Sequence, residues 1–542
     1  MNDIVTVISA MHAKGIRIWR EGGKLNYRRA GGTVTSEDIE TLRARKAEIL
    51  DFLDTSLATA TKDPPIIPRT PSEPIPLTFS QQTYWKGISH FRMKHNTRSC
   101  ANANRLSGAL NVDSLKAAFT ELVKRHEILR AQIVPGETEV TQVIIEDRKL
   151  DLEVVNIGEI SATDRESEAQ QLVEEMVNQP CDMTVDPLFA ARLVRIGDED
   201  HVLIVTVDHI IADALSVGIL LRDVWTIYLR AIRGLPLPLP KIPLQFTDYA
   251  LWEQRMNAEW VAEHGRYWRE RLAGATRTRI SLAGPPTPGV RLKFDETPLR
   301  FSKELTEGLR NLAQREHTTL VMTVLTAYVA LLSRWSKTTD VTLAFPLAGR
   351  SRPEFDNTIG FFAFALFLRF EVFAGDSFKD LLHRVTREYY SALKHQDFGR
   401  NALAWPESEY TRTVGFNWFS RMRANGRSTE DIYGGEPAVK EGAIRLKSYP
   451  FKRAAFDLEW DNDRNDHIDY MDGEPGLWLS ESADGISGRM WYRVESVPTP
   501  TMEMFSRSFR LIAEAARKDP QIRLVDLPCE RESPIAPPLS AV

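Results

Sequence analysis

The chain has 542 residues, of which 43% are hydrophobic and 26% charged, and its formal net charge is -5. That length exceeds one compact core and predicts two or three domains, while the composition excludes a mainly disordered chain. The near balance of charge supplies no global attraction to nucleic acid or anionic lipid, and three scattered cysteines (Cys100, Cys181, Cys529) support neither a disulfide framework nor a zinc site.

In chain order, MNDIVTVISAMHAKG carries Asp3 and lacks a basic lead-in and a small-residue cleavage site, so it predicts a cytoplasmic protein and no secretory signal. Its apolar spacing predicts a helix that stops at Gly15. IRIWR and KLNYR, on either side of EGG (21–23), predict a two-stranded hairpin. SEDIETLRARKAEILDFL predicts one or two amphipathic helices with Ser36 as N-cap. Residues 14–29 gather Lys14, Arg17, Arg20, Lys24, Arg28 and Arg29 against the single acid Glu21, with Trp19 and Tyr27 among them. An open hairpin edge of that charge suits an acidic extended peptide added as a further strand; a solvated basic face on a small domain is the other reading. Residues 61–76, TKDPPIIPRTPSEPIP, hold six prolines and predict a semi-extended linker.

Beyond the linker, strands and helices alternate, which predicts an α/β body. NVDSLKAAFTELVKRHEILRAQIV (111–134) predicts a helix followed by a strand, HVLIVTVDH a buried strand and LSVGILLRDVWTIYLRAI the next helix. After the proline-rich LPLPLPKIPL near residue 240 the scheme repeats, with DETPLRFS and DVTLAFPLAG as strands and KELTEGLRNLAQRE and LVMTVLTAYVALLSRW as helices. The most apolar runs, at 320–332 and 360–370, are shorter than the ~20 residues that cross a bilayer and predict a buried helix and a buried strand. The expected division is a head at 1–54, a linker at 55–73, one lobe at 74–240, a second at 241–527 and a loose tail at 528–542.

His209 and Asp213 stand four residues apart in VTVDHIIADALS (205–216), between the predicted strand and helix. An imidazole with a pKa of about 6.5 takes a proton from an approaching nucleophile at cellular pH. The spacing fits a base steadied by Asp213, and equally a polar pair satisfied at a strand–helix junction. No second histidine or cysteine stands at ligand spacing from His209, so no metal site is expected. GxGxxG, Walker and GxSxG motifs are missing, which disfavours dinucleotide, ATP and serine-hydrolase chemistry.

Residues 1–54 resemble the β-hairpin (TubC-type) docking domains at the N-termini of nonribosomal peptide synthetase subunits. The resemblance implies that the hairpin captures a short linear motif at a partner's C-terminus. Here that would be an acidic motif on an acyl or peptidyl carrier protein, bound through Arg17, Trp19, Arg20, Lys24, Tyr27 and Arg28. DHIIADA (208–214) resembles the HHxxxDG signature of nonribosomal peptide synthetase condensation domains. Six further segments are similar to that family's motifs and stand in its order. They are LTFSQQTYW (77–85), RHEILRAQI (125–133), FTDYALWEQR (246–255), GRSRPEFDNTIGFFAFALFLR (349–369), HQDF (395–398) and VGFNWF (414–419).

The resemblance implies an α/β (α+β) fold of two chloramphenicol-acetyltransferase-like lobes in a V-shaped pseudo-dimer. A tunnel would hold His209 as base or orienter of a nucleophile that attacks a carrier-bound acyl thioester. Asp213 would be structural, paired with Arg350 or Arg130, and Asp208, Ala214 and Asn417 would line the tunnel. No bound cofactor is implied, because the acyl group rides on the phosphopantetheine of a partner carrier. The chain departs from the pattern at Asp208 (for the first histidine), Ala214 (for the glycine), and Phe364 and Ala365 (for asparagine and threonine). A carboxylate at 208 either favours protonated His209 or faces away into a salt bridge. With no room after residue 525 for an adenylation or carrier domain, an in-trans step is expected. It would be a terminal or chain-releasing transfer to a free small molecule, as ester or amide, in the manner of stand-alone enzymes of the enacyloxin type. An acyl-coenzyme A acyltransferase of the HxxxD type and a non-catalytic condensation-like recruitment module are the alternatives.

Overall fold

The computed structural model describes residues 7, 11, 16–21, 24–29, 34–50, 65–70, 73–90, 98, 100–137, 139–256, 258–280, 294–350, 352–396, 414–419, 444–451, 474–482 and 484–530. In the head, β1 (Ile16–Glu21) and β2 (Lys24–Arg29) pair antiparallel, with Glu21 opposite Lys24 and Arg17 opposite Arg28. Of the first expected helix only Val7 and Met11 are described; both are helical and buried, and they share a small core with Ile16, Ile18, Leu42 and Ile49. The next helix, Ser36–Ala44, starts one residue earlier than the sequence predicts. Its cap is Thr35, whose hydroxyl accepts the Asp38 N–H at 3.2 Å while the Asp38 carboxylate reaches back to Thr35. Such a reciprocal box outcompetes a lone serine at the neighbouring position.

The expected linker is in part a piece of the body. The Arg69 N–H donates to Asp248 at 2.7 Å and its guanidinium pairs with Glu127 at 3.2 Å. β3 (Ile75–Pro76) then adds to the edge of a three-stranded sheet with β5 (Ala131–Pro135) and β6 (Val140–Ile144). Proline is tolerated there because an edge strand needs donors on one side only.

Two larger sheets organise the rest. The first contains β4 (Cys100–Ser107), β7 (Glu153–Asn156), β8 (Phe189–Gly197), β9 (Asp200–Val207) and β14 (Arg445–Ser448), in the order β14-β4-β9-β8-β7. Helices Val112–Arg125 and Ala214–Ile232 cover one face, where Leu203, Val205 and Val207 are buried. Helix Arg165–Val177 covers the other, over Val202 and Ile204. Burial on both faces is why β9 is a continuous apolar run although both of its neighbours are antiparallel. The second sheet, in the order β10-β16-β15-β13-β11-β12, contains β10 (Phe294–Ser302), β11 (Asp340–Leu347), β12 (Phe364–Glu371), β13 (Gly415–Phe419), β15 (Gly476–Ser482) and β16 (Gly485–Arg493). Its core is closed by helices Lys303–Arg315, Leu320–Ser336, Phe378–Leu393 and Thr499–Lys518. No single helix among the described residues is long and apolar enough to cross a membrane.

The two cores do not divide near residue 240. Helix Phe246–Gln254 buries Phe246, Tyr249 and Trp252 in the first core, and Phe355, Ile359 and Phe362, from the connection between β11 and β12, join them there. β14 likewise pairs with β4 of the first sheet. Three segments that follow the proline-rich crossing therefore belong to the first lobe, because their apolar side chains or open backbone groups find partners there.

Candidate functional site

β9 ends at Val207, and residues 209–211 form a turn before helix Ala214–Ile232. This turn is held from several sides. The Asp208 N–H donates to Leu188 O at 2.8 Å, and the Asp208 carboxylate accepts the Ile210 N–H at 2.9 Å. From the helix Phe79–His90, buried Gln81 donates its Nε2 to Ile210 O at 2.8 Å and also meets Gln142. Asp208 is wholly buried, so it supports the turn from beneath and does not line a passage as the sequence reading expected. Ala214 is exposed and is the first residue of the helix. Among the described non-glycine residues only His317 and Lys337 have positive φ, so alanine here carries no backbone strain.

Asp213, 2% exposed, is the N-cap of that helix and accepts the Ser216 N–H at 2.9 Å. Arg350 meets it with both terminal nitrogens, at 2.8 and 3.1 Å, and the N–H groups of Phe362 and Ala363 add contacts at 3.1 and 3.2 Å. Arg350 also donates to the Ser216 hydroxyl at 2.9 Å and lies 4.4 Å from the centre of the Phe362 ring. Burial alone would raise the Asp213 pKa; the adjacent Arg350 charge, the Arg350 hydrogen bonds and those from Ser216 outweigh it and hold the carboxyl below the usual range. Both oxygens are committed to this network, which ties the first lobe to the segment arriving from β11. Arg130, offered by the sequence as the other partner, points elsewhere and donates to Glu146 O at 3.1 Å. It lies on a short helical turn (Glu127–Arg130), and its carbonyl accepts the Ile145 N–H just past β6.

His209 is partly exposed, and its surroundings are aromatic. The Phe361 ring centre lies 4.5 Å from that of the imidazole, and the Tyr84 ring centre lies 5.7 Å from it. Tyr84 and Phe361 meet edge to face at 5.9 Å. The segments carrying them are joined by the Ser80 hydroxyl, which donates to Ala363 O at 3.1 Å. Gly360 admits the crossing: its N–H donates to Ser216 Oγ at 3.0 Å, and a Cβ there would lie 2.1 Å from an atom of the Phe246 ring. Tyr84, Phe361, Gln81 and Ser216 carried no separate signal in the sequence, because their partners lie about 60 or more residues away or, for Ser216, are visible only as a cap.

Asn417 is half-buried on β13, with Trp478 of β15 as its strand neighbour. His395 is described and stacks on Tyr267 at 4.0 Å; Asp397 and Phe398 of HQDF lie outside the described residues. Arg17, Trp19, Arg20, Lys24, Tyr27 and Arg28, the residues expected to meet a docked partner, all lie on β1 and β2. A cleft of about 340 Å³ lined by Arg334, Lys337, Val372, Val525 and Cys529 lies at the Asp340/Glu371 end of β11 and β12. It is separated from Arg350 by the length of those strands, about 25 Å.

Comparison with known proteins decides the family. The condensation domain profile matches residues 72–459, and the TubC N-terminal docking domain profile matches residues 4–54. The chain belongs to the condensation-domain family. This condensation protein is 33% identical over 485 residues to phosphinothricin tripeptide synthetase PhsC of Streptomyces viridochromogenes, an alignment covering 87% of this chain and 42% of PhsC. It therefore spans less than half of that relative. Among solved structures it is similar to the X-domain from teicoplanin biosynthesis (TM-score 0.70, 24% identity, 86% of this chain and 100% of that one). It is also similar to the first condensation domain of the calcium-dependent antibiotic synthetase in complex with a substrate analogue (TM-score 0.61, 17% identity, 85% and 100%). These likenesses show the fold, two chloramphenicol-acetyltransferase-like lobes in a mixed α/β arrangement, with a docking domain ahead of it in sequence.

Proposed function

We propose that this condensation protein is an acyltransferase that moves an acyl chain from the phosphopantetheine thioester of a carrier protein to an amine or hydroxyl acceptor. The observation that carries this reading is His209, partly exposed on a clamped turn where the two lobes meet. The acceptor O–H or N–H gives its proton to the imidazole as its oxygen or nitrogen attacks the thioester carbonyl. The C–S bond breaks and the phosphopantetheine sulfur takes up the proton, so that ester or amide and free carrier thiol result. Asp213 and Arg350 act in this scheme as scaffold, and Asn417 orients substrate from β13. The protein itself holds no cofactor.

The head delivers the carrier in the same reading. Register places two arginine positions, 17 and 28, directly opposite each other, and like charges so placed destabilise a hairpin unless an anion neutralises them. An acidic segment at the carrier's C-terminus supplies that anion and raises the local carrier concentration. With the donor delivered in trans, the transfer is a terminal or chain-releasing step to a free small molecule in the cytoplasm. The test is intact-mass spectrometry of an acyl carrier incubated with the protein and a panel of amines and alcohols. Acceptor-dependent loss of the acyl mass with wild type, and none with His209→Ala, is expected; equal unloading by both would end the assignment.

A second reading, a recruitment module, draws on the likeness to the teicoplanin X-domain, which is also solved in complex with OxyB. It predicts partner binding by the two-lobed body that survives His209→Ala, with no unloading by wild type.

A further inference from the structure

We propose that Phe361 and Tyr84 are positioning residues for His209: their rings, one from the connection between β11 and β12 and one from helix Phe79–His90, hold the imidazole in the pose in which it meets the acceptor. The inference rests on the transferase reading above. Sequence spacing offers Asp213 as the residue that would orient His209, yet every contact of the Asp213 carboxylate goes elsewhere, to Arg350, Ser216, Phe362 and Ala363. Orientation must come from other neighbours, and the rings that flank the imidazole are Phe361 at 4.5 Å and Tyr84 at 5.7 Å, tilted 51° and 48° to it. They meet each other at 82°, so the three rings form a closed triangle of mutual contacts.

Both flanking rings stand on fixed backbone. Phe361 lies between Gly360, whose N–H is held by Ser216, and Phe362, whose N–H is held by Asp213. Tyr84 lies one turn along from Ser80 and Gln81, which bind Ala363 O and Ile210 O. Gly360 and Phe362 are buried, whereas Phe361 and Tyr84 are partly exposed like His209 itself. Rings that only filled the core would be buried with their neighbours; these are partly exposed beside the imidazole. The buried pair Asp213–Arg350 thus reaches His209 indirectly, by fixing the loop that carries Phe361.

The full-length protein, a small acyl thioester donor and one accepted amine or alcohol test this. Phe361→Ala is expected to lower kcat at least tenfold with the acceptor KM within about threefold, and Phe361→Tyr to restore most of kcat. Tyr84→Ala lowers kcat as well, and the double variant falls by much less than the product of the two single losses, because both rings act on one imidazole. A raised KM with kcat unchanged, or a kcat for Phe361→Ala within twofold of wild type, overturns the proposal. A readout independent of turnover is carbethoxylation of His209 by diethyl pyrocarbonate, followed by peptide mass spectrometry. Its rate rises severalfold in Phe361→Ala and Tyr84→Ala, with unchanged melting temperatures, if the rings hold and cover the imidazole; equal rates in all variants refute it. Wild type that labels as expected but turns over no acceptor would instead count against the transferase reading and leave the ring contacts standing.

Discussion

His209 and Asp213 stand four residues apart in one motif, and their surroundings differ in almost every physical respect. Asp213 is buried, ionised and bound by a guanidinium and three backbone N–H groups. His209 is partly exposed and ringed by aromatic faces. A side chain with every lone pair engaged has nothing left to offer a substrate, whereas one on a rigid turn with an open flank does. The motif therefore contains one scaffold residue and one candidate for chemistry, and the difference shows in burial and partners, which spacing does not report.

The comparison breaks first at His209→Ala. Turnover on a carrier-bound donor should fall by about 100-fold or more, the scale of a lost general base, with the denaturant midpoint close to wild type. Asp213→Ala should act foremost on stability, costing about 3–5 kcal/mol because it strands a buried arginine, as chemical denaturation would show. Asp213 also sets an acid limit. Its folded pKa lies below the unfolded value of about 4, so its contribution is fully present above that value and is lost as pH falls through the folded one. Asp213→Asn should flatten stability against pH in that window. Gly360→Ala should cost about 1–3 kcal/mol through overpacking against Phe246, and the loss should shrink in a Phe246→Leu background. The smallest effect is expected farthest away. Reversing charge at Arg17 and Arg28 should reduce carrier-dependent turnover about tenfold, near 1.4 kcal/mol, and leave turnover of a small thioester donor unaltered.

Legibility followed the range of the interactions. The hairpin, β9, and the helices that start at Val112, Lys303 and Ala214 were readable because periodicity and turn residues act within a few positions. The choice between Ser36 and Thr35 as cap was not, because adjacent hydroxyl residues both satisfy the local pattern and only side-chain geometry separates them. The prolines of the linker predict a spacer, yet Arg69, pinned by Asp248 and Glu127, makes part of it a fixed strap. Proline excludes regular structure but says nothing about a partner 179 positions away.

By itself the sequence determined the element types, the apolar faces that had to be buried, the condensation-type motif order and the candidacy of His209, all carried by residues close together in the chain. Only the tertiary structure decided that Arg350 and not Arg130 neutralises Asp213, that Asp208 is buried beneath the turn, and that Tyr84 and Phe361 close on the imidazole. Those choices depend on which distant side chains a folded backbone brings within about 3 to 6 Å, a range over which position along the chain carries no information.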